Sequence, residues 1–201
     1  MRRETKRYTM AFFILAALLV TFLVWNLNAG SYGISVSQVM QIFLGNGSDA
    51  TASRVVWDIR LPRVLAAILL GGALSVAGFL LQTFFANPIA GPFVLGISSG
   101  ASLGAVLAML LGVSLPVLGR LSVSAGAFAG ALVSILLVYL LARTRNAVTP
   151  IRLILVGVAV SAMFQAFTNY IVYTAPDDAA VREATFWMLG GLGSAEWADV
   201  P

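Results

Sequence analysis

Near the end of the chain, hydroxyl and amide side chains recur at helical spacing: Gly157, Ser161, Gln165, Asn169 and Tyr173 follow at i, i+4, with Thr168 beside the row. Such a row donates and accepts hydrogen bonds but carries no charge, which suits passage or packing better than bond making. The rest of the chain offers little reactive chemistry. Its 201 residues contain 0 cysteines and 0 histidines, which removes thiolate nucleophiles, disulfides, and the commonest metal ligand and neutral-pH proton shuttle. No Asp, Glu, Lys or Arg lies within the apolar interior of any long hydrophobic stretch, although ion-coupled carriers and voltage sensors depend on such groups. The chain is therefore read as a non-enzyme with no catalytic residue, no cofactor and no metal site.

The elements that must position the polar row follow from composition. With 60% hydrophobic and 10% charged residues, the chain has too little polar surface to cover a water-exposed domain, so most of it must be solvated by lipid. The basic residues, which outnumber acids by a net +4, are scattered among apolar runs, so a nucleic-acid surface is not indicated. The reading is an all-α, polytopic transmembrane helix bundle, one domain over 1–201. Its spans fall at about 9–27, 63–85, 95–111, 121–142 and 153–173. The second and third are separated by Asn87-Pro88-Ile89-Ala90-Gly91-Pro92, where proline removes an amide donor and restrains the preceding residue. After the acidic turn Pro176-Asp177-Asp178, the segment Phe186 to Gly191 has interfacial character. The chain reaches Pro201 without a sixth span, so it is read as truncated at its C-terminus.

A cytoplasmic N-terminus places Arg2, Arg3, Lys6, Arg7, Arg143, Arg145 and Arg152 inside, against Arg54, Arg60, Arg63, Arg120 and Arg182 outside. A cleaved signal peptide over Met1 to Gly30 is the alternative, disfavoured by the length of the apolar block and by the poor cleavage site Leu27-Asn28-Ala29. Between lipid-bathed helices, close association needs small residues. The third span carries Gly96, Gly100, Gly104, Ala108 and Gly112; the second carries Ala67, Gly71 and Ser75; the fourth carries Gly126, Gly130 and Ser134. These predict helix packing. The amides of the fifth span must either be buried against protein or line a wet path, and spacing does not choose between the two. Gln82, at the end of the second span, is a similar case.

The run Arg60-Leu61-Pro62-Arg63, then Gly72-Ala73-Leu74, Ala77-Gly78, Gln82, Asn87-Pro88-Ile89-Ala90-Gly91-Pro92 and Leu95-Gly96-Ile97-Ser98-Ser99-Gly100-Ala101, resembles the FecCD family of ABC-transporter permeases. Trp187-Met188-Leu189-Gly190-Gly191 is similar to its counterpart there. The resemblance implies an importer of iron-siderophore chelates, haem or cobalamin in the bacterial plasma membrane, with about ten spans per subunit. It further implies a second permease subunit, two cytoplasmic ATPases, and an extracellular or periplasmic substrate-binding protein. It assigns binding-protein docking to Arg60 and a cytoplasmic gate to Asn87, Thr149 and Pro150, the proline standing where the cobalamin member has serine. The path then falls to Ser161, Gln165, Thr168 and Asn169, with an iron chelate as cargo. The alternatives are a secondary transporter or channel component working without ATP, and a non-transporting membrane scaffold.

Overall fold

The computed structural model describes residues 2–47, 49–110, 122–143 and 148–200. Among them are eight α-helices: α1 (Arg2–Asn28), α2 (Val36–Phe43), α3 (Ala50–Arg54), α4 (Leu61–Phe85), α5 (Ile97–Leu110), α6 (Ser122–Ala142), α7 (Pro150–Thr174) and α8 (Asp178–Leu189). The expected span ends at 111 and 121, together with Gly112, Arg120 and Arg145, lie outside the described residues.

Four helical stretches are long and apolar enough to cross a bilayer: Lys6–Asn28, Ala50–Phe85, Ser122–Ala142 and Pro150–Thr174. The helix expected as the third span is shorter over its described part, with 14 residues in α5. Its start is delayed by a 3-10 turn, Pro92–Leu95, after which Gly96 takes a left-handed conformation at φ 72° that a side chain would disfavour. The interfacial segment foreseen near Phe186 is a separate helix, α8. Asp177 caps it by accepting from the Ala179 amide, and its Ala184 is fully buried.

The chain divides into two compact units, 1–72 with 192–201, and 73–191. In the first, α2 lays Val39 and Ile42 against Leu27, Ile34, Ala52, Val56 and Val64, forming a small apolar core at the end of α1. Ser35 opens α2 with a capping box: its hydroxyl accepts from the Gln38 amide and the Gln38 side chain accepts from the Ser35 amide. Between α3 and α4 the helix widens into a π turn, Val55–Arg60, closed by the Leu61 amide donating to Val56 O. Buried Pro62 explains the widening, since it has no N–H and its ring crowds the carbonyl of the residue four before it.

In the second unit α5 and α6 meet backbone to backbone. A Cβ on Gly100 would fall 2.5 Å from Gly130 O, and one on Gly126 would fall 2.8 Å from Gly104 O. Gly104 and Gly130 are tighter still against Gly126 O and Gly100 O. Around Gly71 a Cβ would meet nothing within 4 Å. A second apolar core joins Phe85, Ala90, Val138, Ala142, Leu153, Val160 and Phe164.

Candidate functional site

The polar row of α7 opens on a cavity of about 330 Å³ in the second unit, where Ser161, Gln165, Thr168 and Asn169 meet Ser98, Ser99 and Ser102 of α5, with Phe93 and Met188 completing the wall. All four path residues expected from sequence thus share one site. The α5 serines were missed. Their signal was present, because Ser98 and Ser102 stand at i, i+4 two positions from the glycine row, but a serine in a membrane helix reads first as a packing residue.

The site's shape comes from the break before α5. Gly157 lets α7 approach Val94 O, which a Cβ there would strike, and a Cβ on Gly96 would lie 2.9 Å from Ser134 Oγ and 3.0 Å from Ser161 Oγ. At the break Gly96 O accepts from the Gly100 amide at 3.0 Å, and side chains add to that bond. Fully buried Ser134 of α6 donates to Gly96 O at 2.8 Å, and Ser99 donates to the same oxygen at 3.0 Å. Ser161 and Thr168 satisfy their hydroxyls on the carbonyls four residues before them, Gly157 and Phe164, each at 2.8 Å. Thr168 is buried, whereas the larger amides of Gln165 and Asn169 are exposed. No charged side chain lines this cavity.

Asn87 builds the turn after α4. Its Oδ1 accepts from the Ile89 amide at 3.0 Å, its own amide donates to Gln82 O at 3.0 Å, and its carbonyl accepts from Ala90 at 3.2 Å. Ala86 supplies the reversal with φ 47°. Thr149 is the exposed N-cap of α7 with Pro150 at the first helical position, an arrangement proline favours because its missing donor would have been unpaired. The second core places the two loops at one end of this unit, since Phe85 and Ala90 pack with Ala142, Val148 and Leu153.

The chain is similar to known proteins. A model of the FecCD transport family matches residues 17–201. The chain belongs to the FecCD transport family. Its FecCD relatives include the vitamin B12 import system permease of Serratia proteamaculans, 37% identical over 98% of this chain and 54% of that one. The ferric enterobactin transport system permease of Escherichia coli is 34% identical over 96% of this chain and 57% of that protein. A solved structure described as an inward-facing conformation of a metal-chelate type ABC transporter is 28% identical, with a TM-score of 0.77, and covers 96% of this chain and 57% of that one. The FecCD chain described here thus spans little more than half the length of these relatives.

Arg60, which the family resemblance offers to a docking partner, has its guanidinium turned toward the end of α1. It is 7% exposed, and its guanidinium donates to Leu27 O at 2.6 Å, Asn28 O at 3.0 Å and Tyr32 O at 2.5 Å. The physical reason is the π turn, whose extra residue rotates Arg60 toward the end of α1. The neighbouring Arg63 is half-buried and donates through Nη2 to Gly193 O, beside a cavity of about 390 Å³ that Asp58, Glu196 and Trp197 also line.

Proposed function

We propose that this chain is part of the permease subunit of a binding-protein-dependent ABC importer in the bacterial plasma membrane, its N-terminus cytoplasmic, carrying an iron(III)-siderophore chelate inward by alternating access. ATP hydrolysis belongs to separate cytoplasmic subunits, a second permease subunit completes the path, and a substrate-binding protein delivers the cargo outside. The observation that supports this reading best is the uncharged cavity shared by α5, α7 and α8, whose wall is hydroxyl, amide, one aromatic ring and one thioether. A wall of this kind has no strong field for a bare cation or oxyanion and no histidine or thiolate to remove a metal from its chelator. It matches a bulky ligand whose metal charge is already enclosed. Gln165 and Asn169 offer reversible hydrogen bonds to such cargo, and the loops carrying Asn87, Thr149 and Pro150 act as the cytoplasmic gate.

The test is uptake of radiolabelled iron, supplied as a panel of ferric siderophores, by iron-starved cells with and without the intact gene, alongside labelled cobalamin. Loss of uptake for one chelate class, restored by the wild-type gene but not by a Gln165→Leu/Asn169→Leu version inserted at normal level, is the expected result. Loss of cobalamin uptake alone would overturn the cargo and keep the path. Full uptake of every compound without the gene would overturn the transport reading.

A further inference from the structure

The inner placement of Arg60 is a built arrangement. A helix leaves its last carbonyls without amide partners and gathers partial negative charge there. At the end of α1 two of these carbonyls, Leu27 O and Asn28 O, receive Nη1 of Arg60, while Nη2 crosses to Tyr32 O in the following turn. The turn is shaped around the guanidinium: a Cβ on Gly30 would lie 2.6 Å from Arg60 Nη2 and 3.2 Å from Cζ, and Gly30 has φ 157°. Asn28 closes the far side, its amide donating to Ile34 O at 2.7 Å and accepting from the Val36 amide at 3.1 Å in the orientation that satisfies both ends. Tyr32 carries the network onward through its hydroxyl to Asp49 Oδ2 at 2.9 Å, and Asp49 caps α3 through the Thr51 and Ala52 amides. A nearly buried cation is tolerated only where its charge and donors are met, and three carbonyls, two of them at the negative end of a helix, meet them here.

We propose that Arg60 is a positioning residue, an internal clamp that ends α1 and holds the Asn28–Ser35 turn on the π turn before α4, so that Gly30, Arg60 and Pro62 form one device. The arginine fork is essential to it, because two separate nitrogens serve two separate stretches of main chain. A lysine keeps the charge but presents its donors from a single atom and cannot span both. This inference goes beyond the transport reading and does not depend on it.

The experiment uses the full-length permease in membranes. The stretch described here contains no cysteine, so a single introduced one is a clean reporter once any elsewhere in the permease have been replaced. Ile34→Cys sits at a site 2% exposed beneath the turn, and Ser31→Cys sits at an exposed control site. With Arg60 present, Ile34→Cys should resist a membrane-impermeant maleimide. Arg60→Lys and Arg60→Gln should each speed its labelling about tenfold or more, as loss of charge-assisted bonds admits local opening, while Ser31→Cys labels equally in all backgrounds. Gly30→Ala, which leaves Arg60 in the chain but presses on its guanidinium, should act like Arg60→Lys and serves if an Arg60 variant fails to insert. Protection of Ile34→Cys in Arg60→Lys and Gly30→Ala alike, with normal insertion, would overturn the clamp and return Arg60 to an outside role.

Discussion

The backbone contact between α5 and α6 makes a prediction whose size can be worked from distances. A Cβ on Gly100 would stand 2.5 Å from Gly130 O, where a carbon-to-oxygen contact settles near about 3.3 Å, so the helices must part by about 0.8 Å. The obstructing atom is main chain and cannot rotate away. Overpacking of this kind costs about 1–3 kcal/mol, while alanine's better helix propensity returns about 1 kcal/mol. Gly71→Ala isolates the two effects, because a Cβ there meets nothing within 4 Å and only the propensity gain applies. Gly100→Ala should therefore be less stable than Gly71→Ala by about 1–3 kcal/mol. Since Gly130 faces Gly100 reciprocally, adding Gly130→Ala to Gly100→Ala should cost less than it does alone, by about 1 kcal/mol, the helices having already moved apart. Equilibrium unfolding of the purified full-length permease in mixed micelles, titrated with denaturing detergent, measures both quantities. Equal stability of Gly100→Ala and Gly71→Ala, or strict additivity of the facing pair, would refute the backbone-contact argument.

Ser134→Ala removes one buried donor to Gly96 O, which keeps the Gly100 amide and the Ser99 hydroxyl, and should destabilise the same permease by about 0.5–1.5 kcal/mol, with Ser134→Thr less harmful than Ser134→Val, read in the same titration. The outer turn should depend on pH. Asp49 is held below its ordinary 3.8, first by the Ala52 amide and then by the Tyr32 hydroxyl, so its contribution is present above the ordinary carboxylate range and is lost as pH falls through the lowered value. Tyr32 is raised above 10.0, first by its hydrogen bond to Asp49, so its contribution is present below pH 10.0 and is lost as pH rises through the raised value. Labelling of Ile34→Cys, divided by that of Ser31→Cys at the same pH to remove the thiol's own ionisation, should then be lowest between these limits and higher at both extremes, and Asp49→Asn should flatten the acid limb.

The amino-acid sequence alone determined the solvent, the helical class and the main breaks. Those properties are local or compositional: an apolar run of crossing length, two prolines around a glycine at 88–92, an acidic turn at Pro176-Asp177-Asp178. The phase of the polar row on α7 was equally legible, because helical period follows from spacing. Which faces meet was not. The rows at Gly71 and Gly100 look alike in sequence, yet a Cβ added at Gly71 meets nothing within 4 Å whereas one at Gly100 strikes the backbone that α6 brings alongside. Ser98 and Ser102 became part of a cavity only when α5 came to lie against α7, and the 3-10 turn at Pro92–Leu95 decided where that helix begins. Arg60 shows the limit most clearly. Spacing shows an arginine ahead of a proline, but only the π turn at Val55–Arg60 and the nearby end of α1 bring its guanidinium to Leu27 O. Spacing sets the angle of a side chain on its own helix; contact between elements sets what that side chain finds there.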